Sequence, residues 1–309
     1  MFSSVDMCIW GFVVVTLFYV FRHIEKKTVL SFDIYRAWLY NFLISGDNKL
    51  QRGDHMKAII LAGGRGTRLR PFTTVIPKPL VPVGDRAVLE ILLDNLRMHG
   101  VHDVIMCVNH YAELIKAYFG DGSRYGLKID YSLETAPLST VAPLKLIKDL
   151  PENFLVMNGD LLTELDFAEF FNYHLQQDSL LTVATYQRDV HVDFGVIDID
   201  TDFNQAVEFK EKPTYHFNVS MGVYAFNRRV LDFVPENRSF GFDNLMATLL
   251  NLQQPVNVYR YDGYWLDIGR PADYEKANAD IEKVEMNVRN NYGAKLPEKL
   301  DITSSVHAS

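Results

Sequence analysis

Residues 61–70 read LAGGRGTRLR, and the chemistry of the chain starts there. Gly63, Gly64 and Gly66 follow a short apolar run. Glycines let the backbone approach a ligand closely, and the amide groups of such a turn bind phosphate oxygens. Arg65, Arg68 and Arg70 add guanidinium forks that match phosphate geometry. The pattern is neither the dinucleotide fingerprint nor a Walker A loop, because no Gly-Lys-Ser or Gly-Lys-Thr follows. Read alone, it also suits a basic surface turn. Its continuation, PKPLVP at residues 77–82, favours phosphate binding. Pro77, Pro79 and Pro82 brace the backbone around Lys78, a compact cation that can fold back over the cradle.

Two carboxylates stand at the ends of apolar runs. Asp160 follows FLVM through Asn158 and Gly159, and Asp267 lies in YWLDIG. Ligands of open α/β sheets gather at the carboxyl ends of strands. A carboxylate near a phosphate cradle is a natural Mg²⁺ ligand, since Mg²⁺ takes one or two carboxylates plus phosphates and water. The plainer alternative for each Asp is a cap on a turn or helix. Further along, EFKEKP at residues 208–213 offers Glu211 to sugar hydroxyls and Lys212 to a sugar phosphate. Gly195 and Gly222 lie in strand-like runs, where glycine can mark a bulge or a close approach.

These groups need a scaffold. KAIIL at residues 57–61 suits a buried parallel strand entering a turn. Residues 86–99 have helical spacing, 101–109 read as a second strand, 112–119 as a short helix, and 127–131 as a third strand. Lys145 to Leu150 is expected to close a helix before Pro151, and residues 154–157 form a fourth strand delivering Asp160. Strand and helix alternate, which predicts an α/β sheet with helices on both faces. After about residue 180, the runs 180–186, 195–199, 206–210 and 219–226 suggest a more antiparallel subregion. Residues 256–260 read as a strand. Residues 271–283 return to helix, with Ala272, Tyr274, Ala277 and Ile281 on one face.

Composition sets outer limits. The 309 residues suffice for one large domain, and 48% hydrophobic with 23% charged residues is ordinary globular usage. Two cysteines cannot make a disulfide scaffold. A net charge of -8 argues against a nucleic-acid coat. The first 55 residues read differently. Residues 5–21, VDMCIWGFVVVTLFYVF, are apolar and followed by Arg22, Lys26 and Lys27. A membrane span needs about 20 such residues. Three readings stand open: a single-pass anchor, a peripheral amphipathic extension, or upstream sequence that is not native coding, with Met56 as the start. The expected organisation is an extension at 1–55, a catalytic domain at 56–288 and a polar tail at 289–309.

LAGGRGTRLRPFT, PKPLVPVG, NGD, EFKEKP and WLDIG, in that order over roughly residues 56–285, resemble the sugar-1-phosphate nucleotidyltransferases, the nucleotide-sugar pyrophosphorylases. The resemblance extends to mannose-1-phosphate guanylyltransferases and glucose-1-phosphate thymidylyltransferases. It implies a Rossmann-like, mostly parallel sheet flanked by helices, with an embedded sugar-binding subregion, the nucleotide-diphospho-sugar transferase fold. It implies Mg²⁺ as cofactor, with a nucleoside triphosphate and a sugar 1-phosphate as substrates and no nucleic-acid partner. Gly63, Gly64, Gly66 and Thr67 would line the nucleotide, with Glu134 near the base. Arg68 and Lys78 would be catalytic, and Asp160 and Asp267 would hold the metal. Gly195, Glu211, Lys212, Ser220 and Gly222 would hold the sugar phosphate. The expected reaction is guanylyl transfer to mannose 1-phosphate. Thymidylyl, cytidylyl or uridylyl transfer to glucose 1-phosphate, or a non-catalytic nucleotide-sugar binder, are the alternatives. A cytoplasmic location is expected, a homo-oligomer stays open, and membrane association is expected only if the extension at 1–55 is genuine.

Two departures stand out. Residues 137–142 are PLSTVA where the family commonly has PLGTAG, so Ser139 and Ala142 replace glycines and Val141 adds bulk. Ser220, Met221 and Gly222 replace the family's Asn-Ala-Gly. Both are expected to alter specificity and to leave the phosphate chemistry intact.

Overall fold

A computed structural model describes residues 56–292, apart from Arg65 and Thr135, with side chains through residue 288. The apolar run 5–21, the three readings attached to it and residues 293–309 lie outside the described residues. The elements are β1 (Lys57–Leu61), β2 (Pro82–Val83), β3 (Arg86–Ala87), α1 (Val88–Met98), β4 (Asp103–Val108), α2 (Ala112–Phe119), β5 (Lys128–Leu133), β6 (Asn153–Asn158), β7 (Leu161–Thr163), α3 (Phe167–Gln177), β8 (Leu181–His191), β9 (Val196–Asp200), β10 (Gln205–Lys210), β11 (Thr214–Asn227), α4 (Phe242–Asn251), β12 (Val256–Tyr261), β13 (Trp265–Asp267) and α5 (Pro271–Tyr292).

Seven strands form one sheet in the order β12-β8-β11-β6-β1-β4-β5. β1 pairs in parallel with β4 and with β6, and β4 with β5. β11 runs antiparallel to β6 and β8, and β12 is parallel to β8. Only β11 therefore opposes the common direction, as a mostly parallel sheet requires. β9 and β10 form a separate antiparallel hairpin. Among the described residues no helix is long and apolar enough to cross a membrane.

β1 shows why the central strands are uniformly apolar. Ala58 and Ile60 point into one core with residues of α1, α2 and α3, whereas Ile59 points into the opposite core, which contains Leu245 and Leu249 of α4. Successive side chains face opposite sides, so a strand covered on both sides has no solvated position. A third cluster joins Ala277, Ile281 and Val284 of α5 to Leu69 and Ile268. That cluster fixes the two segments that carry Arg68 and Asp267.

Three local expectations change. Residues 145–150 do not close a helix. A 3-10 turn spans Ala142–Leu146, and Ile147 is already extended. The amides of Val141 and Ala142 both donate to the Phe240 carbonyl, which braces this stretch across to the start of α4. Pro151 disfavours helix at the residue before it. α3 and α4 form where the sequence spacing drew no helix. The Asp166 side chain caps α3 by accepting from the Glu169 amide at 2.8 Å. α5 continues past residue 283 to Tyr292, and Ala272 is exposed rather than part of its packed face.

A buried histidine makes the fold acid-sensitive. His174 Nε2 lies 3.2 Å from Asn153 Oδ1, and Asn153 Oδ1 also accepts from Asn227 Nδ2 at 3.0 Å. The carbonyl oxygen can only accept, so Nε2 carries the proton and Nδ1 accepts from Thr182 Oγ1 at 2.8 Å. Burial pushes the His174 pKa down from 6.5 to about 4. Between those values the unfolded chain binds a proton that the folded chain refuses. Stability is thus full above pH 6.5 and falls as pH drops toward 4, by on the order of 3 kcal/mol at most. Melting curves of His174→Gln should slope less steeply over this range than wild type. Parallel slopes would assign the acid sensitivity elsewhere.

Candidate active site

The parallel strands end on one edge of the sheet. Leu61 of β1 stands opposite Asn158 of β6 and Cys107 of β4, and Val108 stands opposite Leu133. The residues that follow those ends therefore line up: Glu134, Asn109, the glycine turn and Asp160. The chain leaves β1 toward β4 on one side and returns to β6 on the other. This is the topological switch point where open α/β sheets bind ligands.

The glycine turn is held from below. Gly66 has a φ of 61°, in the left-handed region. Its carbonyl accepts from the Leu69 amide at 3.0 Å and from Thr73 Oγ1 at 2.6 Å. Leu69 is buried and draws the 3-10 turn Thr67–Leu69 against the protein, while Thr67 and Arg68 remain exposed. A methyl group on Gly66 would come 2.9 Å from Thr73 Cγ2 and 3.1 Å from Lys78 Cβ. Gly66→Ala combines that clash with a backbone penalty of about 1–2 kcal/mol. We expect a lower melting temperature and at least tenfold weaker nucleotide binding, about 1.4 kcal/mol, by isothermal titration. Binding equal to wild type would show that the turn tolerates another shape. A methyl group on Gly64 would meet no atom within 4 Å, so the turn leaves open space there. Arg65 lies outside the described residues.

Lys78 sits at the start of the 3-10 turn Lys78–Leu80, with the following Pro79 buried. Its ammonium contacts Asp160 Oδ2 and lies 3.6 Å from Asp267 Oδ1. The two carboxylates, far apart in sequence, meet through the short β7–β13 ladder, where Asp267 pairs with Leu161. The Ile268 amide also donates to the Asp160 carbonyl at 3.2 Å. Burial holds the Asp160 carboxyl above its ordinary range, Lys78 opposes this, and Asp267 adds to it. Asp267 Oδ1 is enclosed and has no hydrogen-bond partner. A carboxylate oxygen that accepts no hydrogen bond and faces only the Lys78 ammonium at 3.6 Å, beside a second carboxylate, suits Mg²⁺, completed by phosphates and water. Among the described residues no cluster of three or more acidic, His or Cys side chains suits a metal. Arg68 closes this side: a methyl group on Gly269 would lie 3.7 Å from the Arg68 guanidinium carbon and 3.5 Å from Asp267 Oδ1.

Glu134 is buried next to the glycine turn, where a methyl group on Gly63 would come 3.2 Å from Glu134 Oε1. Burial raises its pKa, against hydrogen bonds from the Leu138 amide and the Asn109 side chain. Ser220 and Gly222 occupy an irregularity of β11, where its pairing with β8 shifts between Ser220 and Tyr224. Gly222 has a φ of 73°, and a methyl group there would come 2.6 Å from Asn158 Nδ2. Ser220 Oγ accepts from the Gly222 amide and donates to the Tyr224 hydroxyl, both at 3.2 Å. Gly195 and Glu211 meet on the β9–β10 hairpin, and Lys212 follows with a left-handed φ of 45°. No hydrogen bond or ion pair joins Gly195, Glu211 or Lys212 to the Asp160 group among the described residues. The structure thus brings the expected residues into two groups linked by β11.

Three site neighbours were given no role from the sequence, although Asn158 and Trp265 lie within its NGD and WLDIG motifs. Asn109 hydrogen-bonds Glu134 and packs on Gly63, Asn158 packs on Gly222, and Trp265 Nε1 donates to the Met221 carbonyl at 2.9 Å. Asn109 and Asn158 had one available signal: each stands at the carboxyl end of a buried strand. The departure at 137–142 is cross-braced. Ser139 has a φ of 69°, and Thr140 Oγ1 accepts from the Phe242 amide at 2.8 Å.

Residues 57–284 match the family described as Nucleotidyl transferase. The chain belongs to this family. Relatives within it include a UTP--glucose-1-phosphate uridylyltransferase from Synechocystis, 33% identical over 242 residues, covering 72% of this chain and 62% of that protein. The mannose-1-phosphate guanylyltransferase catalytic subunit beta of Dictyostelium discoideum is 33% identical over 226 residues, covering 71% and 62%. The chain thus spans less than two thirds of the length of these curated relatives. Among solved structures, HddC from Yersinia pseudotuberculosis complexed with GMP-PN is 28% identical with a TM-score of 0.58, covering 73% of this chain and 99% of that one. The mixed α/β architecture of this chain is therefore shared with that solved structure.

Proposed function

We propose that the chain joins a nucleoside triphosphate to a sugar 1-phosphate, forming a nucleotide sugar and pyrophosphate, with GTP and mannose 1-phosphate as its pair. The observation that carries this reading is the convergence of Lys78, Asp160 and Asp267 beside the glycine turn. The guanylyl choice draws on the Dictyostelium relative's name and on the GMP-PN complex of HddC. The Synechocystis relative supports a second reading, uridylyl transfer to glucose 1-phosphate.

A phosphate oxygen of the sugar 1-phosphate attacks the α-phosphorus. A new P–O bond forms as the bond to pyrophosphate breaks and the electron pair leaves with it. The nucleophile is already anionic, so the protein need not remove a proton. It must bring anions together and hold them in line. Gly63, Gly64, Gly66 and Thr67 cradle the triphosphate with backbone amides, with Glu134 beside the base. Arg68 and Lys78 neutralise charge around the reacting and departing phosphates. Asp160 and Asp267 would hold Mg²⁺, which when bound supplies positive charge against the phosphate oxygens. Before substrate arrives, Lys78 keeps the two carboxylates together despite their mutual repulsion. Glu211, Lys212, Gly195, Ser220 and Gly222 receive the sugar phosphate. The catalytic unit is residues 56–288, and the substrate class fits a cytoplasmic location.

The test is a panel of four nucleoside triphosphates against mannose and glucose 1-phosphates, read by pyrophosphate release and product mass. GTP with mannose 1-phosphate should give the highest kcat/KM. GTP as the poorest substrate would overturn the guanylyl assignment. Nucleotide-sugar binding without pyrophosphate release would favour a binding protein instead.

A further inference from the structure

β11 changes character at one joint. No residue of Thr214–Ser220 is buried, whereas every residue from Met221 to Asn227 is. β8 changes in step, buried through Thr185 and exposed from Gln187 onward. The buried parts belong to the central sheet, where β11 also pairs with β6. The exposed parts pair with each other, from Val219 opposite Tyr186 to Thr214 opposite His191. They form an arm, and Glu211 and Lys212 lie just beyond its far end. From Ser220 to Thr214 is roughly 20 Å of strand, so a tilt of about 3° at the joint moves that end by about 1 Å.

Several contacts hold the joint. Gly222, with its φ of 73°, brings the backbone against Asn158 in the NGD segment that delivers Asp160. Trp265 Nε1 donates to the Met221 carbonyl at 2.9 Å. The Gly222 amide donates to Ser220 Oγ, and Ser220 Oγ donates to the Tyr224 hydroxyl, each at 3.2 Å. A serine hydroxyl rotates to suit its partners, so it is only as fixed as they are. The Tyr224 ring is fixed. It is buried, it stacks on Phe242 with centroids 4.0 Å apart, and its backbone pairs with Val156 and Val183.

We propose that the Tyr224 hydroxyl is a positioning group for the sugar 1-phosphate. By pinning Ser220 it fixes the Met221–Gly222 peptide, and with it the angle at which the arm presents Glu211 and Lys212. Buried beneath the joint, Tyr224 acts through Ser220 rather than on the substrate. The proposal rests on the transferase reading and adds to it a residue outside the sequence motifs.

Tyr224→Phe keeps the stacked ring and removes only the hydroxyl. With GTP and mannose 1-phosphate, or the pair that the substrate panel selects, the KM for the sugar 1-phosphate should rise about three- to tenfold, the worth of one hydrogen bond. The KM for the triphosphate should not move. In the free full chain the Gly222 amide should exchange its hydrogen faster than in the parent, a readout that needs no turnover. Ser220→Ala should raise the same KM. The double variant should cost less than the product of the two single effects, because both changes break one contact. A loosened core alone would raise both KM values together or neither, and either result would overturn the proposal. So would unchanged exchange at Gly222, or single effects that multiply. A parent that transfers nothing from any pair would instead overturn the transferase reading, with exchange at Gly222 still deciding whether the hydroxyl pins the joint.

Discussion

Asp160→Asn should lower turnover by about a hundred- to a thousandfold, on the order of 3–4 kcal/mol of lost stabilisation for the reacting phosphates. The fold should survive. The residue lies between β6 and the short β7, and its carbonyl, not its side chain, accepts from the Ile268 amide. Asparagine keeps the size of the side chain and removes its charge. The neutral amide is a poor ligand for Mg²⁺ beside Asp267 and no longer holds the Lys78 ammonium as an ion pair. Kinetics across a Mg²⁺ titration should show both a lower plateau and a rightward shift. Wild-type turnover and an unshifted Mg²⁺ profile would remove Asp160 from the site.

Lys78→Met should show the reverse imbalance. In the free protein Lys78 contacts Asp160 and lies 3.6 Å from Asp267 Oδ1. Without it the two carboxylates face each other uncompensated. Breaking a largely buried ion pair from one side costs on the order of 3 kcal/mol, so the metal-free melting temperature should fall. Mg²⁺ should then stabilise the variant more than wild type, because the cation relieves a repulsion that Lys78 already relieves in the parent. Turnover should still drop at least about a hundredfold, since Mg²⁺ held by the two carboxylates would not replace the positive charge that the Lys78 ammonium supplies. Equal Mg²⁺ stabilisation of both proteins would show that Lys78 and the metal do not share these carboxylates.

The parts of this site differed in how openly the sequence displayed them. β1, β4 and β6 were legible because both of their faces are buried, which leaves runs such as KAIIL without a polar interruption. α3 was not, because Phe167, Phe170, Phe171 and His174 bury an aromatic face that lacks the aliphatic pattern of α1. The meeting of Asp160 and Asp267 had no local signal at all. It depends on a three-residue ladder between β7 and β13, too short for any periodicity to register. The glycine turn was visible as composition, whereas the support of Gly66 by Thr73 and Lys78 appears only once the chain folds back. The hairpin that carries Glu211 was visible as strands. The PLSTVA departure also reads differently in three dimensions. Thr140 Oγ1 and the Val141 and Ala142 amides tie it to the start of α4, through groups that do not depend on the substituted side chains.

Nucleotidyl transfer at the edge formed by the glycine turn, Lys78, Asp160 and Asp267 is measured most directly with GTP labelled at the α-phosphate. The labelled GTP is incubated with the full chain, mannose 1-phosphate and Mg²⁺. The label should move into GDP-mannose, one pyrophosphate should appear for each label moved, and omission of the sugar 1-phosphate should stop both. Label that stays in GTP while the other triphosphates and glucose 1-phosphate also fail, or that leaves as GDP with free phosphate, would contradict transfer at this site.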